Sequence, residues 1–225
     1  MNCCNRIRKS LEFHLRKLLG RFYEKVSYLD SLDGFNALHK RMATHTLMSK
    51  NRLFMIYQFV QHARNLKADM AEVGVFRGGT AKLIALSNPQ ATAHLFDTFS
   101  GMPAQCSPLD MHKPGDFKDV SLDSVKEFLS DCPNVSFYPG VFPKTADSIK
   151  DKAFSFVHID VDIYASVRDC LAFFYPRMVK AGVMLIDDYD FYACEGVKKA
   201  VQEFLVDKNE VPIITTEGQC AIIKQ

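Results

Sequence analysis

The chain has 225 residues, of which 48% are hydrophobic and 24% charged. That composition is globular and allows one large domain or two small ones. A formal net charge of +2 lacks the electrostatic signature of a nucleic-acid binder. The seven cysteines are scattered, at positions 3, 4, 106, 132, 170, 194 and 220. Without a Cys-x-x-Cys pair or a Cys/His cluster, they argue against structural zinc and a disulfide framework. An odd count and no secretory signal point to a reducing cytoplasm. No apolar run approaches the roughly 20 residues of a membrane span.

Residues 1–65 read as a helical extension or lid. "RIRKSLEFHLRKLLGRFYEKV" sets Leu11, Leu15, Leu18, Leu19, Phe22 and Val26 on one helical stripe, with Arg and Lys opposite. Such a face docks on the chain's own domain or on a second subunit, so a homodimer is expected; a membrane surface is the alternative. "KNRLFMIYQFVQHARN" (50–65) reads as a buried helix.

From residue 66 to the end, strands alternate with helices. "ADMAEVGV", "ATAHLFDTF", "NVSFYPG", "AFSFVHIDV" and "GVMLIDD" read as five strands. Between them "GGTAKLIALS", "DVSLDSVKEFLSDC" capped by Ser121, "PKTADSIKD", "ASVRDCLAFFYPRMV" and finally "CEGVKKAVQEFLVDK" read as helices. "VPIITT" and "QCAIIKQ", joined by Glu217-Gly218, read as a closing hairpin. The pattern predicts an α/β, doubly wound, mostly parallel seven-stranded sheet with a C-terminal antiparallel hairpin.

"EVGVFRGGT" (72–80) lies between the first strand and its helix, where α/β sheets bind ligands. Gly74 permits a tight turn, and Gly78 and Gly79 a close helix start. Neither the dinucleotide fingerprint nor a P-loop is present. Glu72 repels a pyrophosphate but attracts an ammonium or sulfonium group, and Asp97 stands where an acid takes ribose hydroxyls. Amino acid plus ribose describes S-adenosylmethionine. The competing reading is a well-packed turn with Glu72 in a surface ion pair.

"HIDVDIY" (158–164) offers Asp160 and Asp162 with strand spacing, so both are expected on one face. "LIDDYD" (185–190) ends the fifth strand with Asp187 and Asp188. Neighbouring strand ends converge, and a carboxylate-rich cluster favours Mg²⁺ over Zn²⁺. His158 reads as a core histidine. Asp187 to Asp190 could instead cap the next helix.

The motifs "AEVGVFRGGTA", "LFDTFSGMP", "PGVFPKT", "HIDVDIYAS", "FYPRM" and "IDDYDFYACEGVKKAVQEF" together resemble the TylF-like macrocin O-methyltransferase family, from about Thr46 onward. The resemblance implies a class I methyltransferase fold, S-adenosylmethionine, Mg²⁺ and a sugar-hydroxyl acceptor. It implies metal ligands at Asp160, Asp187 and Asp188 and a general base at Asp162. For the cofactor it implies Glu72, Gly74 and Thr80 at the methionine end and Asp97 at the ribose. Ser100 and Asp160 stand beside the cofactor, Gly140 and Phe142 along the adenine, and Thr46 and Met48 in a closing segment. A more distant likeness is to catechol-type O-methyltransferases, which share Glu-x-Gly-x-x-x-Gly-x-Ser/Thr. Their lysine base falls here on Ile163, which leaves Asp162. The rival classes are a metal-dependent glycosyltransferase using Asp160-x-Asp162, a nicotinamide oxidoreductase and a silent binding module. The glycosyltransferase leaves Glu72 unexplained, and the oxidoreductase lacks its fingerprint.

Overall fold

A computed structural model describes residues 32–104 and 108–225. The chain divides into two compact units, Met1–Lys40 and Arg41–Gln225. Helix α1 (Asp33–Met42) begins in the first. The apolar stripe from Leu11 to Val26 lies outside the described residues. Everything below concerns the larger unit.

Five parallel strands build its sheet: β1 (Asp69–Val73), β2 (Ala93–Asp97), β3 (Val135–Pro139), β4 (Phe154–Ile159) and β5 (Met178–Ile186). A hairpin of β6 (Ile213–Ile214) and β7 (Cys220–Ile223) adds two antiparallel strands beside β5. The spatial order is β3-β2-β1-β4-β5-β7-β6. Strand order therefore reverses between β1 and β4, and the crevice beyond their carboxyl ends is where such sheets take ligands.

Strand residues alternate between two apolar layers. Ala71, Val73, Val157, Ile159, Met184 and Ile186 share one core with helices α5 (Tyr164–Phe174) and α6 (Glu195–Leu205). Alternation sends Met70, Glu72, Phe156, His158 and Leu185 to the opposite face. Helix α2 (Lys50–Ala63) packs against β4, β5 and helix α3 (Gly79–Ser87). The helices follow from apolar spacing: Val167, Cys170, Leu171 and Phe174 are the buried residues of α5, one turn apart or nearly so. Each such large side chain contributes about 1.5–3 kcal/mol by leaving water. Ser49 caps α2, its side chain accepting from the Arg52 amide. Ser121 caps α4 (Leu122–Phe128) in a capping box with Ser124.

Three expectations change in detail. "PKTADSIKD" forms only a 3₁₀ turn at Asp147–Ile149. β6 is only two residues long and stands at one sheet edge, paired with β7 alone. β4 ends at Ile159, so strand alternation does not set the directions of Asp160 and Asp162.

Glu210 fastens the C-terminus. Its carboxylate accepts from Tyr175 Oη at 2.7 Å, Lys224 Nζ at 3.0 Å and the Gln225 amide at 3.3 Å. Burial opposes its ionisation, but these donors outweigh burial and hold the carboxyl at about 2. A depressed carboxylate pKa stabilises the fold above the ordinary value near 4.5, and the contribution disappears as pH falls toward 2. Glu210→Gln is therefore expected to lose about 2 kcal/mol at pH 7. The difference from wild type should shrink steadily below pH 4.5 in urea titrations. A gap independent of pH would contradict the ionised role.

Candidate active site

One cleft opens at the carboxyl ends of β1, β2, β4 and β5. Of the residues singled out in the sequence, Thr46, Met48, Gly74, Thr80, Asp97, Gly140, Phe142, Asp160, Asp162, Asp187 and Asp188 all line it. Ser100 and Glu72 do not line it.

The floor is set by backbone contact between the two strands at the switch point. Gly74 has φ +90°, and a Cβ there would stand 1.8 Å from the Asp160 carbonyl oxygen. Only glycine allows that approach. The Asp160 amide donates to the Val73 carbonyl at 2.9 Å and the Gly74 amide to Phe96 at 2.9 Å, so three strands meet under the turn. Asp97 braces the same turn. Its Oδ2 accepts from the Val75 and Phe76 amides at 2.7 and 2.9 Å, and its Oδ1 from Phe99 at 2.7 Å. Two oxygens with about four acceptor positions retain room for a ribose hydroxyl.

One rim is the segment before α2. The Gly79 amide donates to the His45 carbonyl at 3.0 Å. A Cβ on Gly79 would lie 2.6 Å from that oxygen, so the rim rests directly on the start of α3. Thr80 Oγ1 points to Met48 Sδ at 3.9 Å, and the His45 and Phe128 rings stack at 3.7 Å.

Glu72 lies behind the cleft lining, at the end of β1. It is fully buried, so it makes no surface ion pair, and its Oε1 meets His158 Nδ1 at 3.0 Å across the β1–β4 register. Burial, then the charge of Asp97, push its pKa well up. Burial lowers that of His158 to about 4. Each group is thus held away from its charged form, and His158 is a core histidine.

The carboxylates gather around the remaining wall. Asp160, Asp162 and Asp188 offer oxygens all within 4.8 Å of one another. Asp162 and Asp188 adopt left-handed backbone, φ 57° and 53°. Two strained turns, and not strand pleating, aim them together. Helix α6 begins after Cys194, so Asp187 to Asp190 do not cap it. Burial, reinforced by Asp187, Asp162, Asp188 and Glu72, raises the Asp160 pKa well above the carboxylate range. Burial and Asp188 push Asp162 up to about 8. Asp187 is raised by burial and Asp188. Like charges at such spacing require a cation or shared protons.

Part of that cation is Arg52, which sequence reasoning missed. Its guanidinium donates to Asp188 Oδ1 at 2.7 Å and Asp187 Oδ2 at 3.2 Å. Its Nε donates to the Glu217 carbonyl at 3.1 Å in the β6–β7 turn. Asp187 Oδ1 remains buried without a partner. That orphan oxygen, with Asp160 and the free oxygen capacity of Asp188, fits a hard divalent ion such as Mg²⁺. Arg52→Met is expected to lower metal-free stability by about 2–3 kcal/mol, because it leaves buried carboxylates uncompensated. Added Mg²⁺ should recover a larger share of the melting temperature in the variant than in wild type. Equal melting temperatures in chelator would contradict the role.

Residues 19–224 match the model of the macrocin-O-methyltransferase (TylF) family. The chain belongs to that family. A relative, demethyldecarbamoylnovobiocin O-methyltransferase of Streptomyces niveus, is 25% identical over 222 residues, spanning 86% of this chain and 84% of the relative. The 8-demethyl-8-(2,3-dimethoxy-alpha-L-rhamnosyl)-tetracenomycin-C 4'-O-methyltransferase of Streptomyces olivaceus is 29% identical over 170 residues, or 67% and 64% of the two chains. The solved structure of the O-methyltransferase NovP superposes with a TM-score of 0.69 at 26% identity, covering 80% of this chain and 82% of that one. The protein is an S-adenosylmethionine-dependent O-methyltransferase of the TylF type.

Proposed function

We propose that this enzyme methylates a hydroxyl on a sugar, or on another vicinal-diol or phenolic part, of a natural product, with Mg²⁺ in the acidic wall. The observation that carries the reading is the gathering of Asp160, Asp162, Asp187 and Asp188 in the cleft that Gly74 and Asp97 also line. The relatives support the acceptor class, since one is named for a rhamnosyl-bearing product and another for a novobiocin precursor. Exposed apolar groups on the cleft lining, Leu47, Phe117 and Val141, suit an acceptor with an apolar body.

Asp160, Asp187 and Asp188 would hold the metal, which as a Lewis acid favours loss of a hydroxyl proton from an oxygen donor bound to it. Asp162 lines the cleft within reach of Asp160 and Asp188 and would serve as the general base. Asp162 would take the hydroxyl proton as the acceptor oxygen displaces the thioether from the methyl carbon that a bound sulfonium donor would supply. The Gly74 turn, Asp97, Thr80 and the Thr46–Met48 rim fix the donor, while Gly140 and Phe142 flank its base. Holding the two reactants in contact supplies much of the acceleration. The four described cysteines are all buried and free, which supports a reducing, cytoplasmic compartment.

The test is methyl transfer from labelled S-adenosylmethionine to a panel of deoxysugar glycosides, catechols and simple phenols. The expected result is labelling of a glycoside, lost in chelator and recovered with Mg²⁺. Transfer indifferent to chelator would refute the metal, and labelling of amines alone would refute the acceptor class.

A further inference from the structure

We propose that His112, Asp162 and Cys194 form a second metal site, suited to a borderline cation such as Zn²⁺ and joined to the carboxylate wall through Asp162. One ligand atom from each side chain lies within 4.8 Å of the other two. Cys194 Sγ stands 3.7 Å from Asp162 Oδ1. Tetrahedral zinc, with bonds of about 2.0–2.3 Å, needs ligand atoms roughly 3.3–3.8 Å apart. Side-chain movements of about an ångström close the difference. A nitrogen, an oxygen and a sulfur select zinc over magnesium, which takes oxygen donors.

The three ligands come from three loops with one fastening. Asp110, two residues before His112, pairs with Cys194 in an isolated antiparallel bridge. Asp110 Oδ1 accepts from the Tyr164 amide at 2.9 Å, two residues after Asp162. Gly196 leaves room for that carboxylate, since a Cβ there would stand 2.3 Å from Asp110 Oδ1. Asp116 Oδ2 lies 3.5 Å from His112 Nδ1 and accepts from the Lys113 amide at 2.8 Å. An outer carboxylate on the imidazole is the usual support of a zinc-bound histidine. Asp162 lines the cleft, so a hydrated ion reaches the site from solvent. On binding, the Cys194 thiol and any protonated Asp162 carboxyl lose their protons to solvent and coordinate as thiolate and carboxylate, while the imidazole coordinates in its neutral form.

Occupancy removes Asp162 from proton transfer, so Zn²⁺ inhibits methylation; that consequence, unlike the site, rests on the base assignment made above. The probe is Co²⁺, titrated into the full-length reduced protein with saturating Mg²⁺ present. The expected result is one equivalent of cobalt with a cobalt–thiolate charge-transfer band, displaced by Zn²⁺ and unaffected by Mg²⁺. Cys194→Ser should abolish the band. His112→Ala, in a loop outside the sheet, should weaken Zn²⁺ binding about 100-fold by calorimetry with an unchanged urea midpoint. Asp187→Asn should keep the band. A band that survives in Cys194→Ser, or unchanged Zn²⁺ affinity in His112→Ala, overturns the site. Zinc binding with this variant pattern and undiminished methyl transfer upholds the site and removes Asp162 as the base.

Discussion

Asp162→Asn is expected to lower kcat by 10²–10⁴ while S-adenosylmethionine binds with unchanged affinity. The substitution keeps the side chain's size and its left-handed turn, which Asn tolerates as well as Asp. It removes only the basic oxygen. The anchor points proposed for the cofactor, Gly74 just after β1, Asp97 at the end of β2 and Thr80 in α3, belong to segments that the change does not touch. Removing one of several crowded carboxylates also relieves repulsion, so Asp162→Asn should melt no lower than wild type. Single-turnover rates and calorimetric titration with the cofactor separate the two effects. A variant with full turnover would reassign the base, and one that loses the cofactor would make Asp162 a binding group.

Gly74→Ala is expected to be the most damaging single methyl in the domain. Its Cβ would lie 1.8 Å from the Asp160 carbonyl oxygen at φ +90°, where neither neighbour is a movable side chain. Both the left-handed conformation and the clash must be relieved by shifting the ends of β1 and β4 apart. About 3 kcal/mol or more of stability should go, read as a lower urea midpoint. Asp160 and Asp162 ride on the displaced strand end, so activity should fall further than stability alone requires. Gly115→Ala is the control: it too has positive φ, 85°, but a Cβ there meets nothing within 4 Å. Similar midpoints for the two variants would show that the close approach at Gly74 is unimportant.

The order of strands and helices was legible because each element carries its own period. Val167, Cys170, Leu171 and Phe174 announce α5 within one segment, and "ADMAEV" announces β1. The carboxylates were legible as residues but not as geometry. Asp160 and Asp162 were read by strand alternation, whereas β4 stops at Ile159 and a left-handed residue turns Asp162. The burial of Glu72 follows from the pleat instead. That residue is still inside β1, and the pleat carries it to the α2–α3 face against His158. Arg52 was out of reach altogether. Its partners Asp187 and Glu217 lie 135 and 165 positions away, and nothing in "KNRLFMIYQFVQHA" distinguishes it from a solvated helix-start arginine. His112 and Cys194 meet Asp162 only because two loops close over it.

The most direct test is diffraction from crystals soaked in Mn²⁺ with the demethylated cofactor product, using the manganese anomalous signal. The account predicts one strong peak about 2.0–2.3 Å from carboxylate oxygens of Asp160, Asp187 and Asp188, with the sulfur of the product in the same cleft beside Gly74. A product-bound cleft whose acidic wall holds no anomalous peak, or a peak only elsewhere on the molecule, would contradict it.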